Sequence, residues 1–358
     1  MNGLGLARAA MVTTLLCAGL STTDAAAQAV NDRPQTENWW PGEWGPDDRV
    51  GAPNRTTPDM VLDAVGLVTQ GKVATLGKLY ASDIPLFGPR VWSMTIPGAP
   101  TAGPLGENAV LFNDEMVTTQ LGQVGTQFDG PGHVGVRTPN GNLFYGGRDL
   151  EAVLKRHPTR YILGLGELGV EAVAEKGFVC RGVLLNAAAH AGLDRLPIPD
   201  SEDSPGIVSA DDVEAMVEAA GIDPIAEGDC VFLHTGHGDL WKTSEWPTLS
   251  AEEKAERVAE FNSGEPGFGL SACQYLADRK VILTGSDQST GEASPVNETP
   301  GQAIPCHLEL QPRHGIWNLE NLEFTQLIED GVSEFLFVWS PLKIVGATGS
   351  PANPVALY

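Results

Sequence analysis

Residues 123–133 of this 358-residue chain form the segment QVGTQFDGPGH. Its polar side chains are Gln123, Gln127, Asp129 and His133, which lie among three glycines and one proline. These small and rigid residues disfavour a helix and favour a tight irregular loop in which side chains can converge. Amide and carboxylate oxygens beside an imidazole are groups that a divalent cation accepts. The pattern alone fits an Asx-type turn followed by a surface histidine equally well.

The residues before this segment predict one helix and then short strands. Thr57 is a suitable N-cap, Pro58 occupies the first helical position, and Gly71 is the predicted stop. Turn residues are dense from 73 to 145, where the apolar runs 91–96 and 109–112 indicate strands. The first half is therefore expected to be rich in β-structure.

The second half alternates strand and helix patterns. Buried strands are predicted at 179–185, 230–233, 281–283 and 335–338. Helices are predicted after Ser209, after the Ser250–Glu253 capping box, and over 270–278, and Gly221 ends the first of them. Because the chain has no internal repeat and no low-complexity linker, it predicts one domain of mixed α and β structure.

The first thirty residues resemble a secretory leader. Arg8 precedes an apolar run over 9–20, and the small residues 24–29 offer cleavage sites after Ala27 or Ala29. We expect a signal peptide over 1–29, a mature domain over 30–358, and a periplasmic or secreted protein. The apolar run is too short to span a bilayer comfortably, and no later stretch reaches ~20 apolar residues, so no membrane association is expected.

Charge narrows the range of partners. The chain has 46 acidic and 22 basic side chains, a formal net charge of −24. Nucleic-acid binding depends on cationic side chains that neutralise phosphates, so this class of partner is disfavoured. A small molecule is the expected partner.

Four cysteines lie within the predicted mature chain: Cys180, Cys230, Cys273 and Cys306. Their spacing matches no zinc motif, and a core of this size needs no covalent cross-link. Two of them lie in strand-like runs, where cysteine often behaves as a small buried apolar residue. Buried free thiols are therefore expected.

The segment 123–133 resembles the signature H-x-G-T-H-x-D-x-P-x-H of the cyclase family, which includes bacterial kynurenine formamidases and isatin hydrolases. Gln123 and Gln127 stand in place of the two leading histidines. The resemblance covers most of the mature chain, with counterparts at 44–48, 181–185, 228–229, 234–236, 286–287, 315–316, 320–322 and 346–351.

The resemblance implies roles for the matched positions. In the family the two signature histidines and the aspartate bind metal, and the closing histidine takes part in acid–base chemistry. A downstream histidine and glutamate can complete a second metal site. Carried over by position, this implies that the metal residues are Gln123, Gln127, Asp129, His307 and Glu320, with His133 as the proton-transfer residue.

Glutamine in place of histidine affects the choice of metal. An amide oxygen is a harder and weaker donor than imidazole, so selectivity for zinc should loosen. Manganese or zinc is the expected ion, and magnesium or calcium also fits. Gln123 has a second interpretation, in which it does not ligate the ion and leaves Gln127, Asp129 and His307 or water to hold it.

Three further residues are candidates for the site. His234 and His237 follow the strand that ends at Leu233, at a position where open α/β sheets expose functional side chains. We predict His237 as a catalytic residue and His234 as a substrate contact, although a histidine that hydrogen-bonds the loop backbone fits the sequence equally well. Trp92, in the run 91–96, is a second predicted substrate contact.

Two other enzyme classes are less well supported. A serine hydrolase of the α/β type needs a G-x-S-x-G elbow, which the chain lacks. Residues 164–169, GLGELG, fit the dinucleotide fingerprint G-x-G-x-x-G, but Asn186 stands where the ribose-binding acidic residue is needed. A glycine-rich turn is the preferred interpretation.

The resemblance implies a mixed α/β fold, a single domain with a β-barrel-like core and flanking helices of the swivelling β/β/α type, assembled as homodimers or homotetramers. It predicts a metal-dependent hydrolase that opens a cyclic or small amide, imide or lactone, with a histidine as general base. Two alternatives remain: a lyase or dehydratase that acts beside a carbonyl, and a periplasmic binding protein that has lost catalysis.

Overall fold

A computed structural model describes residues 38–159 and 162–358. The predicted signal peptide, over 1–29, lies outside these residues, so its cleavage remains a prediction. Within the two described ranges, no helix has the length and apolar character required to cross a bilayer.

The β-strands, in chain order, are β1 (Val73–Thr75), β2 (Trp92–Thr95), β3 (Ala102–Leu105), β4 (Val110–Phe112), β5 (Met116–Thr119), β6 (Gln127–Asp129), β7 (Val136–Thr138), β8 (Gly141–Phe144), β9 (Arg148–Asp149), β10 (Leu154–Arg156), β11 (Ile162–Leu165), β12 (Phe178–Asn186), β13 (Ile207–Val208), β14 (Cys230–His234), β15 (Gly267–Phe268), β16 (Leu283–Ser286), β17 (Trp317–Glu320), β18 (Glu334–Trp339), β19 (Gly349–Pro351) and β20 (Val355–Leu357). The α-helices are α1 (Pro58–Val65), α2 (Leu150–Val153), α3 (Glu171–Ala174), α4 (Ala187–His190), α5 (Ala210–Ala220), α6 (Ala251–Phe261), α7 (Leu270–Asp278), α8 (Pro305–Leu308) and α9 (Thr325–Glu329).

The fold is mixed α/β and is built around a curled nine-stranded half-barrel sheet, as predicted. The strand order is β1-β20-β18-β12-β14-β16-β17-β6-β19. The strands β12, β14, β16 and β17 run parallel, and β6 pairs antiparallel with β17. This pairing places Gln127 opposite Glu320, so two distant parts of the sequence meet at one edge of the sheet.

Aromatic packing fixes β6 in the sheet. Phe128 is fully buried and stacks on Trp317 with ring centroids 4.9 Å apart. Because side chains alternate along a strand, Gln127 and Asp129 face away from this stack. Gly130 follows without a side chain, since a Cβ there would come within 2.1 Å of the Trp317 ring. The core and the polar site therefore share one short strand.

Most of the predicted elements are confirmed, with shifted bounds. Thr57 caps α1, Ser209 and Ser250 form capping boxes on α5 and α6, and α7 covers the predicted 270–278. Helix α1 ends at Val65, earlier than the predicted stop. The strand predicted at 281–283 begins at Leu283 and continues to Ser286.

Segment 123–133 is not helical, as predicted, but it is not an irregular loop throughout. Residues 127–129 form β6, because pairing with β17 and β19 supplies the backbone hydrogen bonds of this short stretch. The glycines and proline on either side of β6 indicated a loop, so the strand was not predicted from the sequence.

The prediction of free thiols was wrong. Cys180 and Cys230 form a disulfide between β12 and β14, and Cys273 and Cys306 join α7 to α8. Both bridges connect elements that are neighbours only in three dimensions, so the spacing along the sequence gave no sign of the pairing.

A hairpin arm projects from residues 92–119. It consists of the ribbon β2–β5 and, beyond it, the ribbon β3–β4. Its large apolar side chains are exposed to solvent, including Met94 at 60%, Leu111 at 56% and Met116 at 67%. The predicted strands at 91–96 and 109–112 are confirmed within this arm.

Candidate metal centre

Three buried side chains converge beside strands β6 and β17 of the sheet. Asp129 comes from β6, Glu320 from the neighbouring strand β17, and His307 from α8. One potential ligand atom of each lies within 4.8 Å of those of the other two. Two carboxylates and an imidazole at this separation are a suitable set of donors for a divalent cation.

Asp129 has a buried oxygen that no described residue satisfies. Its Oδ1 accepts a hydrogen bond of 2.6 Å from Gln123 Nε2, whereas its Oδ2 has no hydrogen-bond partner among the described residues. Burial raises the pKa of Asp129, and the nearby His133 and His307 oppose that rise. An unsatisfied buried carboxylate oxygen is costly, and a bound cation would remove the cost.

Glu320 is held through both of its oxygens. Its Oε2 accepts a short hydrogen bond from Gln127 Nε2, and its Oε1 accepts one of 2.9 Å from Asn318. The same Oε1 lies 3.3 Å from His307 Nε2. Burial raises the pKa of Glu320 to about 7, and the negative charge of Asp129 adds to the effect.

His307 is oriented by Glu292, a buried residue that was not predicted from the sequence. Glu292 Oε1 accepts from the backbone N–H of His307 at 3.1 Å and lies 2.5 Å from its ring Nδ1. Its Oε2 accepts from the N–H of Cys306 at 3.0 Å. Burial would lower the pKa of His307, but hydrogen bonds to Glu292 and Glu320 outweigh it and raise the pKa well above its usual range.

Glu292 therefore holds the first turn of α8 and fixes the direction of the His307 ring, leaving Nε2 turned towards Glu320. Carboxylate partners of this kind are common behind metal-binding histidines. No local motif identifies Glu292, since its partner lies fifteen residues further along the chain.

The two glutamines present their amide nitrogens to the carboxylates. Gln123 Oε1 accepts a hydrogen bond of 2.7 Å from Arg90 Nη2. Arginine can only donate, so the Gln123 oxygen must face Arg90 and its Nε2 must face Asp129. Gln127 likewise donates its Nε2 to Glu320. In this arrangement both amides act as donors to the carboxylates, and direct ligation of metal by either one remains a prediction.

His133 lies at the border between the buried centre and solvent. Its side chain is 26% exposed, and its Nε2 lies 3.8 Å from Asp129 Oδ2. Gln123 Nε2 approaches the same ring nitrogen at 3.3 Å. A partly exposed imidazole beside a carboxylate can exchange protons with solvent and with a bound ligand.

His237 and His234, the other histidines predicted in the site, have hydrogen-bond partners outside the buried group. His237 is buried, with Nε2 3.1 Å from the backbone oxygen of Phe261. His234 ends β14, with Nδ1 3.0 Å from Asn186 and Nε2 3.8 Å from Asp287. Their hydrogen-bond and ion-pair partners within the described ranges do not include the Asp129–His307–Glu320 group.

Trp92 packs on Tyr80, which holds the segment just before β6. Its ring centroid lies 4.8 Å from that of Tyr80, and the Tyr80 hydroxyl donates a short hydrogen bond to the backbone oxygen of Thr126. Trp92 therefore supports the segment that carries Gln123 and Gln127. A contact with substrate remains a prediction.

A small open cleft lies beside the centre. Its lining includes Gln123 and Gln127 together with Phe87, Arg90, Phe261 and Ser289. The cleft therefore borders the two amides that donate to the buried carboxylates, whereas Asp129, His307 and Glu320 do not line it.

The residues present fit a divalent cation. The buried group contains the carboxyl groups of Asp129, Glu320 and Glu292 with the imidazole of His307, and Asp129 Oδ2 is unsatisfied. A positive ion would offset the clustered negative charge and would give Asp129 Oδ2 a partner.

Comparisons with known proteins identify the family and the fold. A family model described as "Putative cyclase" matches residues 56–293, more than half of the chain. The structure of "a novel cyclase" superposes with a TM-score of 0.71 at 27% identity, covering 90% of this chain and 98% of that one.

Two isatin hydrolases share the fold at greater distance. Isatin hydrolase A from Ralstonia solanacearum gives a TM-score of 0.53 at 19% identity, covering 84% of this chain and 97% of that one. Isatin hydrolase A from Labrenzia aggregata, bound to benzyl benzoate, gives 0.51 at 17% identity, covering 80% and 93%. No curated protein sequence matches the chain significantly.

Proposed function

Because the chain belongs to the cyclase family, we propose that it is a metal-dependent hydrolase that opens a cyclic or small amide, imide or lactone. The observation that carries this proposal is the buried group Asp129, His307 and Glu320, together with the unsatisfied Oδ2 of Asp129. The names of the two fold relatives, both isatin hydrolases, agree with hydrolysis.

We assign Asp129, His307 and Glu320 as the residues that hold one divalent ion. Manganese or zinc suits two carboxylates and one imidazole. Such an ion would polarise a carbonyl and lower the pKa of a bound water. Gln123 and Gln127 orient the carboxylates by donating to them, a role that differs from the ligation expected from the motif.

His133 takes the part of general base in this proposal. Its ring is partly exposed and lies beside Asp129, so it can receive a proton from the attacking water and return it to the leaving group. Asp129 stabilises the imidazolium that forms, because its carboxylate oxygen is 3.8 Å from His133 Nε2.

We also propose that the protein is exported. Disulfides form and persist in oxidising compartments such as the periplasm. The two disulfides, Cys180–Cys230 and Cys273–Cys306, are in keeping with the signal peptide expected from the sequence. Mass spectrometry of protein recovered from the periplasm should find a new N-terminus near Gln28 or Val30, and an intact Met1 would contradict export.

A homo-oligomer is proposed through the hairpin arm. Two-stranded ribbons with exposed apolar side chains are marginally stable in water and need a cover. Residues 91–113 contain a single charged side chain, Glu107, in a chain of net charge −24. A second copy could meet this neutral surface without strong repulsion, whereas a membrane surface would favour basic residues. Light scattering should show that the wild-type protein is a dimer or a larger oligomer and that Leu111→Asp weakens this association. A monomeric wild type would contradict the proposal.

The hydrolase proposal is tested by turnover with controlled metal. The wild-type protein is stripped with a chelator, reloaded with Mn²⁺ or Zn²⁺, and offered isatin, phthalimide, formanilide and a γ-lactone. We expect ring-opened or deformylated products only after reloading. Asp129→Asn should stay inactive, while the surface variant Asp83→Asn should match the wild type. Full turnover by metal-free protein would refute the mechanism, and an unsaturated product would indicate a lyase.

A further inference from the structure

Arg90 is a cation without a carboxylate partner in a strongly acidic chain. The chain has 46 acidic against 22 basic side chains, and most of the described lysines and arginines lie in ion pairs. No carboxylate oxygen of the described residues lies within 4.0 Å of Arg90. The guanidinium instead donates one hydrogen bond to the neutral amide of Gln123.

Most of the donor capacity of Arg90 is still available. A guanidinium carries five N–H groups in a fixed plane, and the bond to Gln123 uses one, on Nη2. No described residue accepts a hydrogen bond from Nε or Nη1. Each edge that suits a carboxylate combines Nη2 with one of these two nitrogens, and because Nη2 has two N–H groups and gives one to Gln123, one such edge is left. Arg90 is half-buried, so a bond made there is less screened than one on the open surface.

The surroundings of Arg90 indicate what the rest of the ligand looks like. Arg90 lines the cleft beside the metal centre, together with the aromatic rings of Phe87 and Phe261. Its guanidinium lies 5.4 Å from the centre of the Phe87 ring. Phe87 is 54% exposed, so a flat apolar group could pack on its ring while an anionic group reaches Arg90.

We propose that Arg90 determines specificity by binding a carboxylate of the substrate, so that the substrates are amides, imides or lactones that carry a carboxylate on or near a planar ring. This rests on the proposed hydrolase function. The net charge of −24 repels anions in general, and a local cation at the mouth of the cleft is what an anionic substrate would need.

The test uses a matched pair of ligands, benzoate and benzamide, which have similar size and differ in charge. Titration calorimetry on the metal-loaded protein should show that benzoate binds more tightly than benzamide. Because Arg90 also positions Gln123, the two ligands are compared within each variant: Arg90→Gln should weaken benzoate ten- to hundredfold more than it weakens benzamide, as loss of a hydrogen bond to a charged group implies. Arg90→Lys should give an intermediate result, because it retains charge without the planar edge.

Arg156→Gln is the matched control, since it removes the same charge from an arginine whose partner is Glu151 on the surface. Metal content and melting temperature establish that Arg90→Gln keeps the centre and the fold. Equal affinity of wild type for the two ligands, no binding of benzoate, or an equal loss in Arg156→Gln would overturn the proposal.

A kinetic comparison separates this inference from the hydrolase proposal. If 2-formamidobenzoate and formanilide are both hydrolysed, Arg90→Gln should raise KM for the first about tenfold or more relative to its effect on KM for the second. Selective benzoate binding without any hydrolysis would reject the hydrolase and retain Arg90 as an anion site. Metal-dependent hydrolysis that does not depend on Arg90 would retain the hydrolase proposal and reject Arg90 as an anion site.

Discussion

Glu292→Gln is the most informative single substitution, because it changes no proposed ligand and keeps the size of the side chain. The native carboxylate accepts from the N–H of Cys306, the N–H of His307 and the Nδ1 of His307. An amide has one accepting oxygen, so the variant must place an NH₂ group against one of these donors. The charge that stabilises the His307 ring is lost as well.

The expected magnitude follows from these contacts. Replacing the residue that orients a metal-binding histidine typically weakens metal affinity by about 10- to 100-fold. Loss of a hydrogen bond involving a charged group costs about 1.5–3 kcal/mol, which covers the same range. We expect the Kd for Mn²⁺ to rise by about 10- to 100-fold while the fold is retained.

Titration calorimetry of metal-free protein with Mn²⁺ measures the effect, and calorimetric melting measures the fold. Glu298→Gln is the matched control, because Glu298 accepts from the N–H and hydroxyl of Ser271 at the start of α7. It should lower the melting temperature without changing the Kd. A Kd for Glu292→Gln within threefold of wild type, or an equal loss in the control, would refute the orienting role.

Four other predictions concern the same centre. Asp129→Asn should lose bound metal and activity together, while the melting temperature of the metal-free protein falls little. Metal analysis and melting curves of the variant measure the two effects. His133→Ala should keep its metal and lose ~10²- to 10⁴-fold in turnover; stoichiometric loss of the ion would make it a ligand instead. Because burial raises the pKa of Glu320 to about 7, metal must displace its proton, so the Kd measured across pH should rise as pH falls through about 7. Replacing Cys273 and Cys306 by alanine removes a bridge that closes a loop of 33 residues, and it should reduce the free energy of unfolding by about 4 kcal/mol. Denaturant titrations measure this, and an unchanged free energy of unfolding would contradict a stabilising role of the disulfide.

Features with a local cause were predicted well from the sequence. Thr57, Ser209 and Ser250 cap their helices through contacts within three residues, and Gly221 ends α5 at a φ of 64°. The strand runs that contain Cys180 and Cys230 are apolar over their own length. The meeting of Asp129 with His307 and Glu320 was expected only through the family resemblance, because residues so distant in sequence have no local signal.

Features that depend on tertiary contacts were missed. The two disulfides need neighbouring strands and helices, and Glu292 acquires its role when α8 is brought against it. Nothing in the sequence singles out Arg90, because its lack of an ion pair is visible only in the fold. The orientation of Gln123 depends on that same arginine, so the sequence could suggest an oxygen ligand but could not determine which end of the amide faces Asp129.

Metal-dependent hydrolysis is tested by titrating metal-free wild-type protein with Mn²⁺. Bound ion and the rate of hydrolysis of isatin, phthalimide, formanilide or a lactone are followed in the same samples. We expect the rate to rise in proportion to bound ion and to level off at one ion per chain. A rate that is already complete without metal, or a fully loaded protein that hydrolyses none of these compounds, would contradict it.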